Sequence, residues 1–363
     1  MTYDITADTL HIDLTRKDAI INSLRNRLCF SKSDAEKKPE EKEMKNKNES
    51  DNRECMTHGE ELAVSGPPES AVNDTSESLS LLNFEPFSVS ALIKALPYIR
   101  NSRCQCSDIS VGSLFMWQKD TDLRFCEWNN TFVIRQDIGD QPAFTYPEGA
   151  DPEGMTDKLM QYTERNHLPL RFFAADDNIL EKILNDARLK NPMHSYDIRW
   201  SDYIYSFEEA KTFKGRKFRG QRNHINKFRK LYGEPDIRFL TPEDIPAVEN
   251  MLDEYSAEHS DAGLLEILEL EQTRNLLPVY ESLGLYAAGL FVDEKIAAFT
   301  IGEIIGDMLL IHVEKGLRRY EGAYPVMYSG FVNLMDTVPG HSLKIINRED
   351  DSGDIGSRTS KMQ

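Results

Sequence analysis

Residues 31–80 contain no Phe, Trp or Tyr, and they are rich in Glu, Lys, Ser, Asn and Pro. Such a segment buries too little apolar surface to offset the entropy that ordering its backbone would cost. We therefore predict that residues 1–82 form a disordered tail and linker. The apolar spacing near 9–29 permits one short amphipathic helix within it. Folded structure is thereby restricted to the chain from residue 83 onward.

Charge and cysteine content exclude several classes of protein. The formal net charge of −18 disfavours attraction of the whole surface to nucleic acid or anionic lipid. The sequence lacks a run of roughly 18 or more apolar residues, so no transmembrane helix is predicted, and its start lacks the pattern of a secretory signal. The five cysteines are odd in number and irregularly spaced, which favours reduced thiols. We predict a cytoplasmic protein without a bound metal.

The region after residue 83 alternates predicted helices and strands. In its first part, helices are predicted over 88–99, 154–166 and 176–189, and strands over 123–128, 131–136, 170–174 and 203–206. In its second part, helices are predicted over 206–231, 241–258, 266–283 and 324–335, and strands over 285–292, 295–304, 308–314 and 343–346. Asn129-Asn130 predicts a hairpin turn, and Thr241-Pro242 predicts a helix start.

Five segments, taken together and in order, carry a family resemblance. They read CSDISVGSLFMW at 106–117, RNHINKF at 222–228, AAFTIGE at 297–303, VEK followed by YEGAY between 313 and 324, and INRED at 346–350. The ordered set resembles the carboxy-terminal domain of bacterial phosphatidylglycerol lysyltransferases and its soluble relatives, over about residues 84–361.

The resemblance implies an α/β fold with mixed sheets, built from two GNAT-like acyltransferase halves in tandem. The halves would span residues 83–205 and 206–363, the second without its last strand. In the lysyltransferases an aminoacyl group moves from its tRNA ester to a lipid headgroup. The resemblance therefore implies an aminoacyltransferase with aminoacyl-tRNA as co-substrate, no tightly bound cofactor, and a lipid headgroup or small molecule as the amine or hydroxyl acceptor. Two alternatives stay open, a non-catalytic polyanion-binding module and an N-acetyltransferase that uses acetyl-CoA.

The segment between a predicted strand and the last long helix resembles the GNAT pyrophosphate loop, Arg/Gln-x-x-Gly-x-Gly/Ala. Arg319 and Gly322 match it, whereas Tyr324 replaces the final small residue and disfavours coenzyme A. Free backbone N–H groups and the dipole at a helix start attract anions. We expect Arg319, Tyr320, Gly322 and Tyr324 to bind the phosphate of the donor, the alternative being an ordinary strand-to-helix turn.

A second candidate for phosphate contact is the basic stretch 211–230, which contrasts with the acidic chain. Its densest polar cluster consists of Arg222, Asn223, His224, Asn226 and Lys227. Such a face suits the RNA backbone. The alternative is an amphipathic helix with solvated charges.

Catalytic candidates lie on the predicted central strands. His312 and Glu314 are two residues apart on one strand and are predicted to share a face, where either would deprotonate an incoming amine. A salt bridge from Glu314 to Lys315 or Arg348 is the alternative.

Further polar residues are expected to hold the substrate. They are Glu303, Asn347, Arg348, Glu349 and Asp350. Arg348 would bind a carboxylate or phosphate bidentately, and Glu349 or Asp350 an α-amino group, because the ends of buried strands often carry function. As an ordinary loop, residues 347–350 would have no such role.

Overall fold

The computed structural model describes residues 11–12, 82–118, 122–138, 141–260 and 263–362. The predicted tail therefore lies outside the described residues, apart from His11–Ile12 and Leu82. His11–Ile12 form a short strand, because their backbone pairs with two parallel neighbours. The helix predicted near 9–29 is wrong at these two positions.

The first half contains one sheet and four α-helices among the described residues. Its own strands are β2 (Glu85–Pro86), β3 (Arg124–Trp128), β4 (Thr131–Ile138), β5 (Gln141–Phe144), β6 (Glu148–Gly149), β7 (Arg171–Phe172) and β8 (Met193–His194). Strand β1 (His11–Ile12), from the chain before residue 83, joins the same sheet. Its helices are α1 (Val89–Asn101), α2 (Val111–Trp117), α3 (Pro152–Arg165) and α4 (Asp177–Asn185). The sheet order is β2-β3-β4-β5-β7-β1-β8, with β6 beside β4. The predicted β3–β4 hairpin is confirmed, and both turn asparagines have positive φ.

The second half contains the other sheet. Its strands are β9 (Ile204–Ser206), β10 (Asp236–Phe239), β11 (Tyr286–Val292), β12 (Lys295–Ile305), β13 (Met308–Gly316) and β14 (Ile345–Asn347). Its helices are α5 (Phe207–Thr212), α6 (Arg219–Tyr232), α7 (Ile245–Glu258), α8 (Leu264–Leu276), α9 (Ala323–Met335) and α10 (Ile355–Lys361). The sheet order is β10-β11-β12-β13-β14-β9. Strand β9, at the expected boundary between the halves, thus pairs with β14 in the second sheet.

The two halves repeat one order of elements. The order is an edge strand, two helices, three antiparallel strands, a helix and a strand. It runs β2-α1-α2-β3-β4-β5-α3-β7 in the first half, where the short β6 follows β5, and β10-α7-α8-β11-β12-β13-α9-β14 in the second, where β9, α5 and α6 precede it. In each half that last strand pairs in parallel with the third antiparallel strand: β7 with β5, and β14 with β13. One buried apolar cluster includes Leu92 and Val111 of the first half and Phe299 of the second, so the two halves share a core.

The basic helix predicted over 206–231 is wrong in its middle, where it divides into α5 and α6. Phe213 adopts a left-handed φ of 46° and Gly215 a φ of 106°, which end the helical backbone. The Phe213 ring is buried against Phe218 and Tyr328, at centroid distances of 5.4 and 5.9 Å. Burial of this ring favours the break over a continuous helix.

Two irregularities of the second sheet position the candidate site. Ile301 pairs with Val313 and Gly302 with Ile311, so His312 is the extra residue of a β-bulge. Strand β14 pairs with β13 only along Met308–Leu310. Beyond Leu310 and Asn347 this pairing ends, and the place beside the remainder of β13 where the ladder ends is called the opening below. None of the helices in the described ranges has both the length and the apolar character needed to span a bilayer.

Candidate functional site

An ion pair bridges the opening between β13 and β14. Arg348, the residue after β14, places Nη2 2.6 Å and Nε 2.8 Å from Oε2 of Glu314 on β13. The guanidinium lies 4.6 Å from the ring centroid of Tyr328 and 5.8 Å from that of Tyr205. Burial would lower the pKa of Arg348, but the Glu314 carboxylate outweighs it and raises that pKa. Both charged side chains remain partly exposed, at 16% and 17%, so they are accessible from the opening.

The structure separates the two predicted catalytic residues. His312 contacts Glu303, whose partner across the sheet is Leu310, whereas Glu314 contacts Arg348. The expectation that His312 and Glu314 share a face is wrong, because the bulge at His312 shifts the alternation of side chains by one residue. Glu314 alone of the two faces Arg348.

The His312 ring is held between two carboxylates. Nε2 lies 2.8 Å from Oε1 of Glu303, and Nδ1 lies 2.9 Å from Oε1 of Glu349. Its burial would lower the pKa of His312, but the hydrogen bonds to Glu303 and Glu349 overcome this and raise the pKa to about 9. A doubly protonated ring has no lone pair for a further proton. The geometry therefore does not favour His312 as the base.

The first half completes this cluster through α2. The Gly112 N–H donates to Oε1 of Glu303 at 2.9 Å, and the Ser113 hydroxyl donates to Oε1 of Glu349 at 3.2 Å. A Cβ at position 112 would lie 2.4 Å from the His312 ring, so only glycine permits this approach. Sequence reasoning did not select Gly112 or Ser113 as site residues. The signal was present, since both lie in the segment 106–117 that carries the family resemblance.

The remaining predicted substrate residues shape the turn after β14. Asn347 donates through Nδ2 to Asp202 at 2.8 Å and to the Gln105 carbonyl at 2.7 Å, and its Oδ1 accepts the Glu349 N–H at 2.6 Å. Asp350 Oδ1 accepts the N–H and hydroxyl of Ser352. Asn347 is fully buried, so it stabilises the turn through these hydrogen bonds from the interior of the protein. Glu349, whose side chain is 20% exposed, lies nearer to the surface.

Asp202 is a half-buried aspartate that the sequence did not single out. It accepts the N–H and the hydroxyl of Ser107, at 2.6 and 2.8 Å, in addition to the Asn347 amide. Burial raises the pKa of Asp202 to about 7. The residue thereby ties the segment before α2 to β14.

The predicted phosphate loop and the predicted basic cluster lie against each other. Gly322 precedes α9 with a left-handed φ of 85°, and a Cβ there would lie 2.5 Å from the His224 carbonyl oxygen of α6. Lys227 pairs with Glu321 at 2.5 Å. Arg319, at the exposed end of the loop, pairs with Glu254 of α7 and lies 5.1 Å from the Tyr320 ring centroid. The glycine turn and α6 therefore form one continuous surface.

Tyr324 connects that surface with the opening. A Cβ at Gly316, the last residue of β13, would lie 3.2 Å from the Tyr324 ring, so the ring covers the end of the strand that carries Glu314. Burial raises the pKa of the Tyr324 hydroxyl. An aromatic ring, on a residue that is 43% exposed, therefore lies beside the helix start where the GNAT loop pattern has a small residue.

The residues of the basic cluster do not all face solvent. Arg222 donates to the carbonyl oxygens of Phe213 and Gly215, at 2.7 Å for Gly215, and so holds the break before α6. The other members are exposed on α6: Asn223, His224, Asn226 and Lys227. Across the described ranges no group of three or more His, Cys, Asp or Glu side chains is arranged to hold a metal ion.

The repeated element order, the end of the β13–β14 pairing beside the rest of β13 and the glycine turn before α9 define a tandem GNAT-like acyltransferase fold. The chain belongs to the family described as phosphatidylglycerol lysyltransferase, C-terminal, which matches residues 101–346. No curated protein matches the chain.

Solved structures to which this chain is similar come from several bacteria. A conserved protein of unknown function from Bacteroides thetaiotaomicron is 27% identical, with a TM-score of 0.66 over 77% of this chain and 94% of its own. L-PGS from Bacillus licheniformis is 14% identical, with a TM-score of 0.47 over 73% of this chain and 76% of its own. A C-terminal domain from Agrobacterium fabrum, described as that of a lysylphosphatidylglycerol synthetase, is 15% identical, with a TM-score of 0.46 over 71% of this chain and 77% of its own.

Proposed function

We propose that this protein is an aminoacyltransferase whose reaction centre is the opening between β13 and β14. The donor is an aminoacyl-tRNA, and the acceptor is an amine or hydroxyl on a lipid headgroup or small molecule. The observation that carries the proposal is the partly exposed Glu314–Arg348 ion pair at the opening. Tyr324, in the first turn of α9 after Gly322, contacts the end of β13, the strand that carries Glu314. The family description, which names a lysyltransferase acting on phosphatidylglycerol, supports the aminoacyl donor.

The chemistry requires a proton acceptor and a group that stabilises negative charge. The acceptor nitrogen or oxygen attacks the ester carbonyl and loses its proton as the new bond forms. Glu314, oriented by Arg348, accepts that proton. The Arg348 guanidinium lies beside it and stabilises the charge that develops on the carbonyl oxygen. The ester bond then breaks, and Glu314 returns the proton to the ribose oxygen of the tRNA as that oxygen leaves.

The Gly322 turn and α6 are assigned to the donor tRNA. The turn presents the start of α9, where backbone N–H groups and the helix dipole favour phosphate. Arg319 adds a guanidinium at the edge of the turn, and α6 adds exposed basic and amide side chains. The contact between Lys227 and Glu321 makes these two elements a continuous track for the end of the tRNA.

We expect the exposed lysines of α6 to set the salt dependence of tRNA binding. Replacing Lys227 and Lys230 with Ala should weaken binding at low salt and reduce the slope of log affinity against log salt by about 1–2, because each phosphate contact releases counterions. Binding of charged tRNA is measured by fluorescence anisotropy from about 50 to 200 mM salt. The matched control is Lys94→Ala with Lys190→Ala, two exposed lysines of the first half. Equal slopes for both double variants would show that the lysines of α6 do not contact the tRNA and are only solvated.

The proposal is tested by a transfer assay with the full chain and tRNA charged with labelled amino acids. Phosphatidylglycerol vesicles, small amines and a peptide serve as separate acceptors. Label in one acceptor supports the proposal and names the acceptor class. Absence of transfer with every charged tRNA, combined with retained tRNA binding, would instead support the non-catalytic polyanion-binding module. Thermal stabilisation by millimolar coenzyme A, with acetyl transfer, would support the N-acetyltransferase.

A further inference from the structure

The segment that carries Arg348 has an unusual backbone. Glu349 and Ser352 adopt left-handed φ angles of 57° and 51°, and Gly353 follows with 79°. Left-handed backbone at residues other than glycine is unfavourable, and it persists where the surrounding structure enforces it. This backbone places Arg348 against Glu314 and Glu349 against His312, so the contacts that enforce it also fix those two side chains.

The helix α10 supplies those contacts through two basic side chains. Lys361 Nζ donates to the carbonyl oxygens of Arg348 and Asp350, each at 2.6 Å. Arg358 holds the Asp351 carboxylate with two hydrogen bonds, of 2.6 and 3.0 Å. The Asp351 side chain is fully buried, and its Oδ1 accepts the Gly353 N–H. Hydrogen bonds that include a charged group are stronger than neutral ones. The helix α10 therefore holds the turn strongly, through Lys361 at Arg348 and Asp350 and through Arg358 at Asp351.

Strand β9 completes the connection between α10 and the reaction centre. The Tyr203 hydroxyl, just before β9, donates to Asp351 at 2.6 Å. The Tyr205 hydroxyl of β9 donates to the Lys361 carbonyl oxygen, while its ring lies 5.8 Å from the Arg348 guanidinium. Tyr205 therefore links α10 with Arg348.

Apolar burial does not hold α10 in place. Within Ile355–Lys361, all of which the structure describes, no side chain is buried, and Ile355 is 78% exposed. Its position depends on the polar contacts just described. A helix attached in this way is sensitive to the loss of a single side chain.

We propose that α10 is a clamp that fixes the orientation of Arg348, with Lys361 as its positioning residue. Lys361 does not touch the reacting atoms. It holds the carbonyl groups on either side of Glu349 and thereby keeps the left-handed turn formed. An effect of Lys361 on the transfer rate rests on the proposed function, whereas an effect on the backbone of the turn does not. The two effects are measured separately.

The clamp is tested first by hydrogen exchange of the full chain, which needs no substrate. Lys361→Met removes the charge and keeps the length of the side chain. We expect amides of residues 347–353 to exchange at least about tenfold faster in this variant, with global stability close to that of the unaltered protein. Lys361→Arg should retain most of the protection. Lys344→Met, at an exposed lysine just before β14, is the matched control and should leave these amides unchanged. Unchanged protection in Lys361→Met would overturn the proposal.

The second measurement is the transfer rate with charged tRNA. Lys361→Met should lower kcat about tenfold or more, with the KM for the donor nearly unchanged, because a misplaced Arg348 affects the reacting geometry. Lys361→Arg should restore most of the rate. Faster exchange with an unaltered kcat would reject the positioning role. If the unaltered protein transfers no aminoacyl group, the proposed function fails, while the exchange data still decide whether α10 clamps the turn.

Discussion

His312→Leu is expected to lower the free energy of unfolding by about 3–5 kcal/mol, a large part of the roughly 5–15 kcal/mol typical of a folded domain. The substitution removes the imidazolium and leaves Glu303, whose side chain is 3% exposed, as a buried carboxylate without its charged partner. Glu349 loses the same partner. Urea unfolding at pH 6 followed by circular dichroism measures the change. His341→Leu, at an exposed position, is the control and should alter stability by less than about 0.5 kcal/mol.

The same contribution should depend on pH with a defined sign. The pKa of His312 rises from 6.5 to about 9 on folding, so the folded state holds the proton more tightly. The stabilisation from this group is therefore complete below about pH 6.5 and is lost as pH rises through about 9. The difference in stability between the unaltered protein and His312→Leu should shrink between pH 6 and pH 9.5. A constant difference across that range would show that folding does not raise the pKa of His312.

Glu314→Gln is expected to lower the rate of aminoacyl transfer by about 10²–10⁴-fold. Glutamine keeps the shape of the side chain and an oxygen that accepts a hydrogen bond from Arg348, but it does not accept a proton at neutral pH. The KM for charged tRNA should change little, since Glu314 lies at the opening rather than on the glycine turn or α6. Single-turnover rates with labelled charged tRNA provide the measurement.

Glu234→Gln is the control for that variant, because Glu234 is an exposed partner of Arg229 at the end of α6. Its rate should stay within about twofold of that of the unaltered protein. A loss smaller than about threefold in Glu314→Gln, with its thermal stability unchanged, would remove Glu314 from the role of base. The proton would then have to leave through another group at the opening.

Local patterns in the sequence were sufficient to predict most helices and strands of the second half. The strands β11, β12 and β13 are apolar along their length, and Asp293-Glu294 and Gly306-Asp307 separate them. A helix start at Thr241-Pro242 was also predictable: Thr241 and Asp244 form a capping box on the 3₁₀ turn Pro242–Asp244, and α7 continues directly from that turn. These signals depend on neighbours within a few residues, so they can be read without knowledge of the tertiary fold.

Features that depend on distant contacts were not predictable in the same way. The break at Phe213 follows from burial of its ring against Tyr328, which lies far along the chain. The bulge at His312 reflects its register against β12 and the carboxylates on either side of the ring. Without the bulge, alternation along the strand places His312 and Glu314 on one face. Glu314 and Arg348 were both selected from the sequence, and their pairing was raised only as the alternative to catalysis.

The close approach of Gly112 to His312 has a consequence for how the tandem halves change over time. The backbone of one half occupies the volume against which a ring of the other half is fixed. Neither half can then be exchanged alone for that of a distant relative, because a replacement half that carries a larger residue at position 112 would clash with the His312 ring. We therefore expect a residue larger than glycine at position 112 to require a smaller side chain at position 312.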